Sequence, residues 1–399
     1  MHHHARVIMS FVRSLALVTL LVMCLRNRAV LLRRLATLVE LTLRLARYST
    51  IRWVFKLLGL VMYSLVLAPA FLKVAWYYAT SANVKRGLIY GAQARNTLDL
   101  YLPDGCEIAD VDSSTSMGTT RKDEEKRPVV IFITGGMWII GYKAWGALLA
   151  QRLSRRGIIV ASLDYRNFPQ GTVGDMIADV SNGISWVLDR IDALGGDKRK
   201  VVVIGQSAGA HLAATAILRQ TEWLARSPNT WSPGSISKFI GISGVYAPDD
   251  PQLIEHFHRQ GLYKNVFWSI MEAGFTGSRA SEALPRASPV SMLHEQAVRQ
   301  SVHILPPVML CHGEADSSAP PEQSRTFANA LRGVGVSVAE HYYVGKTHTD
   351  PFVTDPILGR DILLDDIANS IFGRRVEPFD EKPLIPRIFV SIARKFVPF

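Results

Sequence analysis

The residues best suited to chemistry begin with a serine held between two glycines. Ser207 lies in the run GQSAG (205–209), directly after the apolar run 201–204 and before a helical pattern. This order predicts a nucleophile elbow, a tight strand-to-helix turn that presents the serine oxygen for attack on an acyl carbon. The two glycines leave room for such a turn. We therefore expect Ser207 to be a nucleophile.

An acid for this serine follows a later strand. The apolar run 308–310 leads into a turn that contains Asp316, at the carboxyl end of a predicted strand, where reactive groups of an α/β sheet gather. We expect Asp316 to orient a catalytic histidine, and Glu314 is the alternative acid. His312 lies nearer the strand end, and we expect it to hold the loop together by hydrogen bonds.

The base is expected from the last strand. The run 338–344 ends in a loop that bears His348, which we favour over His341. The chain order Ser, Asp, His is the order of a nucleophile-elbow triad. In this interpretation Ser207 attacks a carbonyl carbon, His348 transfers the proton and Asp316 stabilises the imidazolium. This chemistry needs no metal or cofactor, and we predict none.

Two adjacent glycines after another strand predict the oxyanion site. Gly135 and Gly136 follow the apolar run 129–133, and their backbone N–H groups, with that of Ala208, are expected to bind a developing oxyanion. Esterase loops of this kind usually have a histidine before the glycines, and here Thr134 replaces it. The replacement keeps the backbone donors and affects only how the loop is anchored.

The elements that position these residues alternate between strand and helix. Short, continuous apolar runs are typical of parallel strands covered on both faces, and helical patterns lie between them. We predict a doubly wound, mostly parallel α/β sheet. The strands are expected at 97–102, 129–133, 158–163, 201–204, 239–242, 308–310 and 338–344.

The chain is expected to divide into two parts. Residues 87–399 form the catalytic domain, with a mobile polar loop at 104–127 and a helical cap insert at about 249–300. Residues 1–86 form a membrane-associated helical segment with a transmembrane span near 53–78, which Pro69 is expected to kink. The alternative is a hairpin of helices buried against the catalytic domain.

Charge is distributed unevenly along the chain. Residues 1–90 contain 13 Lys and Arg against the single acid Glu40, whereas the other 32 basic and 33 acidic residues nearly cancel. Because the N-terminal arginines alternate with aliphatic runs, we expect a lipid bilayer as partner and no nucleic acid. The basic, apolar segment 384–399 is expected to dock on the membrane or on the N-terminal hairpin.

Three longer runs carry a resemblance to a known family. TGGMWIIGYKAWG (134–146), DYRNFPQG (164–171) and GQSAGAH (205–211) closely resemble isoprenylcysteine α-carbonyl methylesterases, as does the insert at 257–272. The resemblance covers about residues 90–399 and implies an α/β-hydrolase fold. It also implies hydrolysis of the methyl ester of C-terminal prenylated cysteine, in proteins or small prenylcysteines, at endoplasmic reticulum or Golgi membranes.

A prenyl chain requires an apolar trough, and several large side chains are available to line one. The alternative is that most of them belong to the core. The residues concerned are Trp138, Trp145, Phe267, Trp268, Met271 and Phe275. The block Asp164-Tyr165-Arg166 is expected to brace the active-site loops, with contact of its arginine to an anionic substrate as the alternative.

Two other functions remain open from the sequence. The first is a general carboxylesterase or an arylformamidase-like amidase of the same fold, because the Gly-Gly-x-Trp loop is similar in such enzymes. The second is a small-molecule receptor built on a catalytically dead hydrolase scaffold. All three candidate triad residues are present, which favours an enzyme.

Overall fold

One sheet organises the part of the chain that the computed structural model describes, which is residues 51–106, 126–227, 230–260, 264–271, 283–378 and 381–396. Within these residues the sheet has eight strands in the order β1-β2-β4-β3-β5-β6-β7-β8. The strands are β1 (Val84–Ile89), β2 (Thr97–Tyr101), β3 (Arg127–Ile133), β4 (Ile159–Leu163), β5 (Gly196–Gln206), β6 (Lys238–Ile242), β7 (Val308–Gly313) and β8 (Val338–Tyr343).

The prediction of a mostly parallel α/β sheet is confirmed. Strands β3 to β8 pair in parallel, whereas β2 is antiparallel to both β1 and β4. Every residue of β4 is buried, and because successive side chains point to opposite faces, both faces of that strand are covered. The edge strand β8 is only partly buried. The sheet starts at Val84, three residues before the expected start of the catalytic domain.

The described helices alternate with the strands from β3 onward. Val130 and Phe132 of β3 share a core with side chains of the helices at 147–155 and 362–372. The helices are α1 (Ile51–Val66), α2 (Ala68–Thr80), α3 (Ala147–Arg155), α4 (Val173–Asp189), α5 (Ala208–Arg226), α6 (Pro251–Gln260), α7 (Lys264–Met271), α8 (Pro289–Met292), α9 (Gln296–Gln300), α10 (Glu322–Gly333), α11 (Asp355–Ile357), α12 (Ile362–Phe372) and α13 (Arg387–Ala393).

The segment near 53–78, where a kink at Pro69 is expected, is not one helix. The chain forms α1 and α2 instead, and residues 54–66 and 68–80 are bent by 72° at Leu67. Pro69 lies in the first turn of α2, and its ring would clash with the carbonyl four residues earlier in an unbroken helix. In the described part of the chain no single helix is long and apolar enough to cross a membrane, although this bent pair meets that test together.

The C-terminal helix α13 packs against α1, one of the two positions expected for it. Val390 and Ala393 of α13 share an apolar cluster with Tyr63 and Leu67. Nearby, the Lys73 ammonium donates to the Leu384 carbonyl at 2.7 Å. Residues 1–50, and 107–125 of the loop expected at 104–127, lie outside the described residues.

Candidate active site

Ser207 occupies the turn between β5 and α5. Its φ of 53° lies in the left-handed region, which is costly for a residue with a side chain and is often found at functional sites. A Cβ on Gly205 would lie 2.5 Å from Ala210 Cα, and one on Gly209 would lie 2.2 Å from the Ile133 carbonyl oxygen. Only glycine therefore fits at both positions, and the turn is the elbow that the sequence predicts.

The structure brings Ser207, His348 and Asp316 into one hydrogen-bonded line. Ser207 Oγ lies 3.0 Å from His348 Nε2, and His348 Nδ1 lies 2.7 Å from Asp316 Oδ2. We assign the proton to Nδ1, because that nitrogen faces a carboxylate, and this leaves Nε2 to accept from the serine. The alternative acid and base lie elsewhere. Glu314 is exposed, and His341 pairs with Asp366 at 3.1 Å.

Four donors surround the buried carboxylate of Asp316. Oδ1 accepts from the backbone N–H groups of Ser318 at 2.8 Å and Ala319 at 3.0 Å, while Oδ2 faces His348 and His312. Burial alone would raise the pKa of this carboxyl. The two histidines outweigh burial and hold its pKa below the usual value. Asp316 is therefore an anion at neutral pH, as the stabilisation of an imidazolium requires.

His312 ties the acid loop together, and it also contacts Asp316 directly. Its Nε2 lies 3.0 Å from Asp316 Oδ2 and 2.8 Å from the Ala319 carbonyl, and its Nδ1 lies 2.7 Å from Ser324 Oγ. Two acceptors at Nε2 place the proton there. The sequence predicts that His312 forms hydrogen bonds within this loop, but it does not predict the contact with Asp316. That contact depends on the turn that folds the acid back over the end of the strand.

The glycine loop after β3 lies against the nucleophile. A Cβ on Gly135 would lie 2.9 Å from Ser207 Cβ, so the loop backbone passes directly beside the serine. Gly136 has φ 126°, and Met137 and Trp138 follow with φ of 52° and 62°. Ala208 opens α5, where an N–H group has no partner within the helix. Gly135 and Ala208, two of the expected oxyanion donors, thus lie beside Ser207, and Gly136 follows Gly135 in the same loop.

The block that follows β4 braces this loop. Tyr165 donates its hydroxyl to the Thr134 carbonyl at 2.9 Å, and the Asn167 amide donates to the Gly141 carbonyl at 2.8 Å. These bonds anchor the loop where the usual histidine is replaced. Arg166 makes two 2.8 Å hydrogen bonds to Asp179, so it is held by an acid of the chain itself. That pairing agrees with a bracing role for Arg166.

His211 joins the glycine loop to the segment before α8. The Trp138 indole donates to His211 Nδ1 at 3.1 Å, and His211 Nε2 donates to the Ala287 carbonyl at 2.7 Å. The ring is fully buried, and this burial lowers the pKa of His211 to about 4. It is therefore neutral at physiological pH, with its proton on Nε2. No residue pattern predicts this link, because His211 binds Ala287 through its backbone carbonyl alone.

The large side chains expected to line a trough differ in how deeply they are buried. Trp138 and Phe267 are buried and meet at 6.0 Å between ring centroids, and both also contact Phe257. Met271 is buried and Trp268 is half-buried on the same helix, α7. Trp145 is exposed. Phe275 lies outside the described residues.

Comparisons with known proteins identify the family. Residues 117–331 match the family described as BD-FAE. An isoprenylcysteine alpha-carbonyl methylesterase of Arabidopsis thaliana is 42% identical over 370 residues, covering 90% of this chain and 81% of that protein. A probable isoprenylcysteine alpha-carbonyl methylesterase of Oryza sativa subsp. japonica is 42% identical over 366 residues, covering 90% and 79%.

A solved structure agrees with the fold. Esterase B from Lactobacillus rhamnosis matches with a TM-score of 0.55 and 18% identity, over 79% of this chain and 96% of that one. At this identity the match supports the fold alone, and the α/β-hydrolase architecture is confirmed. The sequence relatives and the family match together show that the chain is a carboxylic ester hydrolase and belongs to the isoprenylcysteine alpha-carbonyl methylesterase family.

Proposed function

We propose that this chain hydrolyses the methyl ester of C-terminal prenylated cysteine through an acyl-enzyme on Ser207. The observation that carries the proposal is the line of hydrogen bonds from Ser207 through His348 to the anionic Asp316. It provides a nucleophile, a base and an orienting acid in one geometry. The names of the relatives supply the ester class.

The proposed reaction has two halves. Ser207 Oγ attacks the ester carbonyl while His348 Nε2 takes the serine proton, and the oxyanion is bound by the N–H groups of Gly135, Gly136 and Ala208. His348 then gives that proton to the departing methoxide, which leaves as methanol. A water molecule then attacks the acyl carbon while His348 takes its proton. His348 returns that proton to Ser207 Oγ as the acyl bond to the serine breaks, and the prenylcysteine acid that is released ionises to the carboxylate.

The apolar character of the insert supports a prenylated substrate. Helices α6 and α7 lie between β6 and β7 and direct Phe257 and Phe267 onto Trp138 of the glycine loop. We propose that this insert is a cap whose half-buried Trp268 contacts the prenyl chain, while the buried Trp138, Phe267 and Met271 form the apolar core that supports it. Trp145 is exposed and is proposed as a contact for the outer end of the prenyl chain.

Comparative kinetics test the proposal. We expect kcat/KM for farnesylcysteine methyl ester to exceed the values for p-nitrophenyl acetate and N-formylkynurenine. Removing one isoprene unit should lower kcat/KM at least tenfold, since burial of five carbons contributes up to about 4 kcal/mol. Ser207→Ala is the control and should abolish all turnover.

Other results of these assays would favour one of the alternative functions. Equal turnover of prenylated and simple esters would indicate a general carboxylesterase, and preference for formylkynurenine would indicate an arylformamidase-like amidase. Absence of labelling by a fluorophosphonate in the folded wild-type protein would favour a receptor without catalytic function.

We further propose that the protein acts at a lipid bilayer, at endoplasmic reticulum or Golgi membranes as the family resemblance implies. Helix α1 supports this, because Val54, Leu58, Val61 and Leu65 form an exposed apolar stripe along one side of the helix. Residues 51–86 contain five basic residues and no acid, which suits an anionic membrane surface.

A further inference from the structure

The loop that carries His348 is fixed by a buried acid two residues further on. Asp350 Oδ2 accepts the backbone N–H of Thr347 at 3.0 Å, and its Oδ1 accepts the Thr354 hydroxyl at 2.7 Å. Thr347 directly precedes His348, so the hydrogen bond to Asp350 fixes the position of the backbone immediately before the histidine. The side chain of Asp350 is 3% exposed, and a buried carboxylate requires a positive partner.

That partner comes from the C-terminal end of the described chain. Arg394 follows α13, and its Nε and Nη2 lie 3.0 Å and 2.9 Å from Asp350 Oδ1. The helix is held in place by its apolar side, since Val390 and Ala393 pack in the cluster of Tyr63 and Leu67. The guanidinium is therefore presented to Asp350 from a fixed support.

The same cluster reaches the segment after the histidine. Val353 packs against it, and Phe352 stacks on Phe132 of β3 with 5.7 Å between ring centroids. Residues 350–354 form a single π-helical turn, whose first residue is the acid that Arg394 binds. The histidine loop thus rests on β3 at one side and on α1 and α13 at the other.

We propose that Arg394 is a positioning residue for His348, acting through Asp350. The inference rests on the catalytic role proposed for His348. Without the guanidinium, Asp350 loses its ion pair and is free to turn away from the Thr347 N–H. His348 then loses the alignment that its 3.0 Å approach to Ser207 requires. A displacement of about 1 Å at a catalytic group can cost about 10²-fold in rate.

The test compares Arg394→Gln with Arg394→Lys in the full-length protein. Hydrolysis of p-nitrophenyl acetate is the assay, because it requires the triad and no prenyl group. We expect Arg394→Gln to lower kcat at least tenfold with KM within about twofold, and Arg394→Lys to recover part of the loss. Lys395→Gln, which changes the adjacent exposed lysine, is the matched control and should resemble the wild type.

A second measurement separates positioning from folding. Titration with a fluorophosphonate gives the fraction of active sites, and kcat is then expressed per labelled site. The inference is overturned if kcat per site is unchanged in Arg394→Gln, or if Lys395→Gln lowers it equally. Either result leaves the proposed function intact, whereas activity retained by Ser207→Ala would contradict the proposed function itself.

Discussion

At the scale of single residues, the candidate site depends on which nitrogen of each histidine holds a proton. For His348 to accept the serine proton at Nε2, its own proton must lie on Nδ1. The anionic Asp316 holds it there by accepting a hydrogen bond from Nδ1. The order of serine, acid and histidine along the chain predicts this line of residues, because each follows a predicted strand. The proton positions on His312 and His211 could not be predicted, since they depend on backbone carbonyl groups: that of Ala319, which the acid turn places, and that of Ala287 in a distant segment.

The neutral state of His211 gives a pH prediction. The pKa of His211 is about 4 in the folded protein and about 6.5 for an unburied histidine. The unfolded chain therefore binds a proton between these values that the folded chain does not. The contribution of His211 to stability is complete above pH 6.5 and falls by about 3 kcal/mol as the pH is lowered to 4.

Urea unfolding of the wild type and His211→Gln between pH 7 and 4 measures this contribution. The free energy of unfolding of the wild type should fall more steeply, so that the difference between the two proteins changes by about 3 kcal/mol. His303→Gln, at an exposed histidine, is the control. Parallel curves for the wild type and His211→Gln would contradict the assignment.

At the scale of elements, the strand-to-helix turn at Ser207 is formed by residues close together in the chain and can therefore be predicted from the sequence. The apolar run, the two glycines and the helical pattern around Ser207 lie within about 25 residues. The break between α1 and α2 is less readable, because Pro69 alone is compatible with a kink in one span. The burial of Leu67 in a cluster with Val390 stabilises two separate helices, and that contact joins residues more than 300 positions apart.

Gly209→Ala tests the close approach of α5 to β3. The new methyl group would lie 2.2 Å from the Ile133 carbonyl oxygen, which is a backbone atom of a buried strand and cannot move away easily. We expect a loss of about 3 kcal/mol or more, measured by urea unfolding, together with loss of esterase activity. Gly174→Ala, in the first turn of α4, is the control.

The control position is open, since the nearest atom to the new methyl group is 3.8 Å away. Alanine is a better helix former than glycine, so this substitution should be neutral or stabilise by up to about 1 kcal/mol. Equal stability of the two variants would show that α5 and β3 are not packed as closely as described.

At the scale of the whole molecule, large exposed apolar side chains concentrate on α1, α2 and α13. They include Phe55 and Trp76, which are 67% and 73% exposed. The sequence predicts an apolar, basic N-terminal region. It also predicts that the segment 384–399 docks on the membrane or on the N-terminal hairpin, and α13 does pack on α1, with Ile388 and Phe389 exposed. The sequence leaves the choice between these two positions open, because the docking of α13 is a long-range contact.

Vesicle binding by the full-length protein tests whether these helices contact lipid. The double variant Phe55→Glu and Trp76→Glu should bind vesicles of phosphatidylserine and phosphatidylcholine at least tenfold more weakly, because burial of one aromatic side chain contributes about 2 kcal/mol. Ile362→Glu changes an exposed apolar residue on α12 and is the matched control. It should leave the partition coefficient unchanged. Equal binding by the double variant and the wild type, measured by co-sedimentation at low ionic strength, would place the lipid contact elsewhere in the chain.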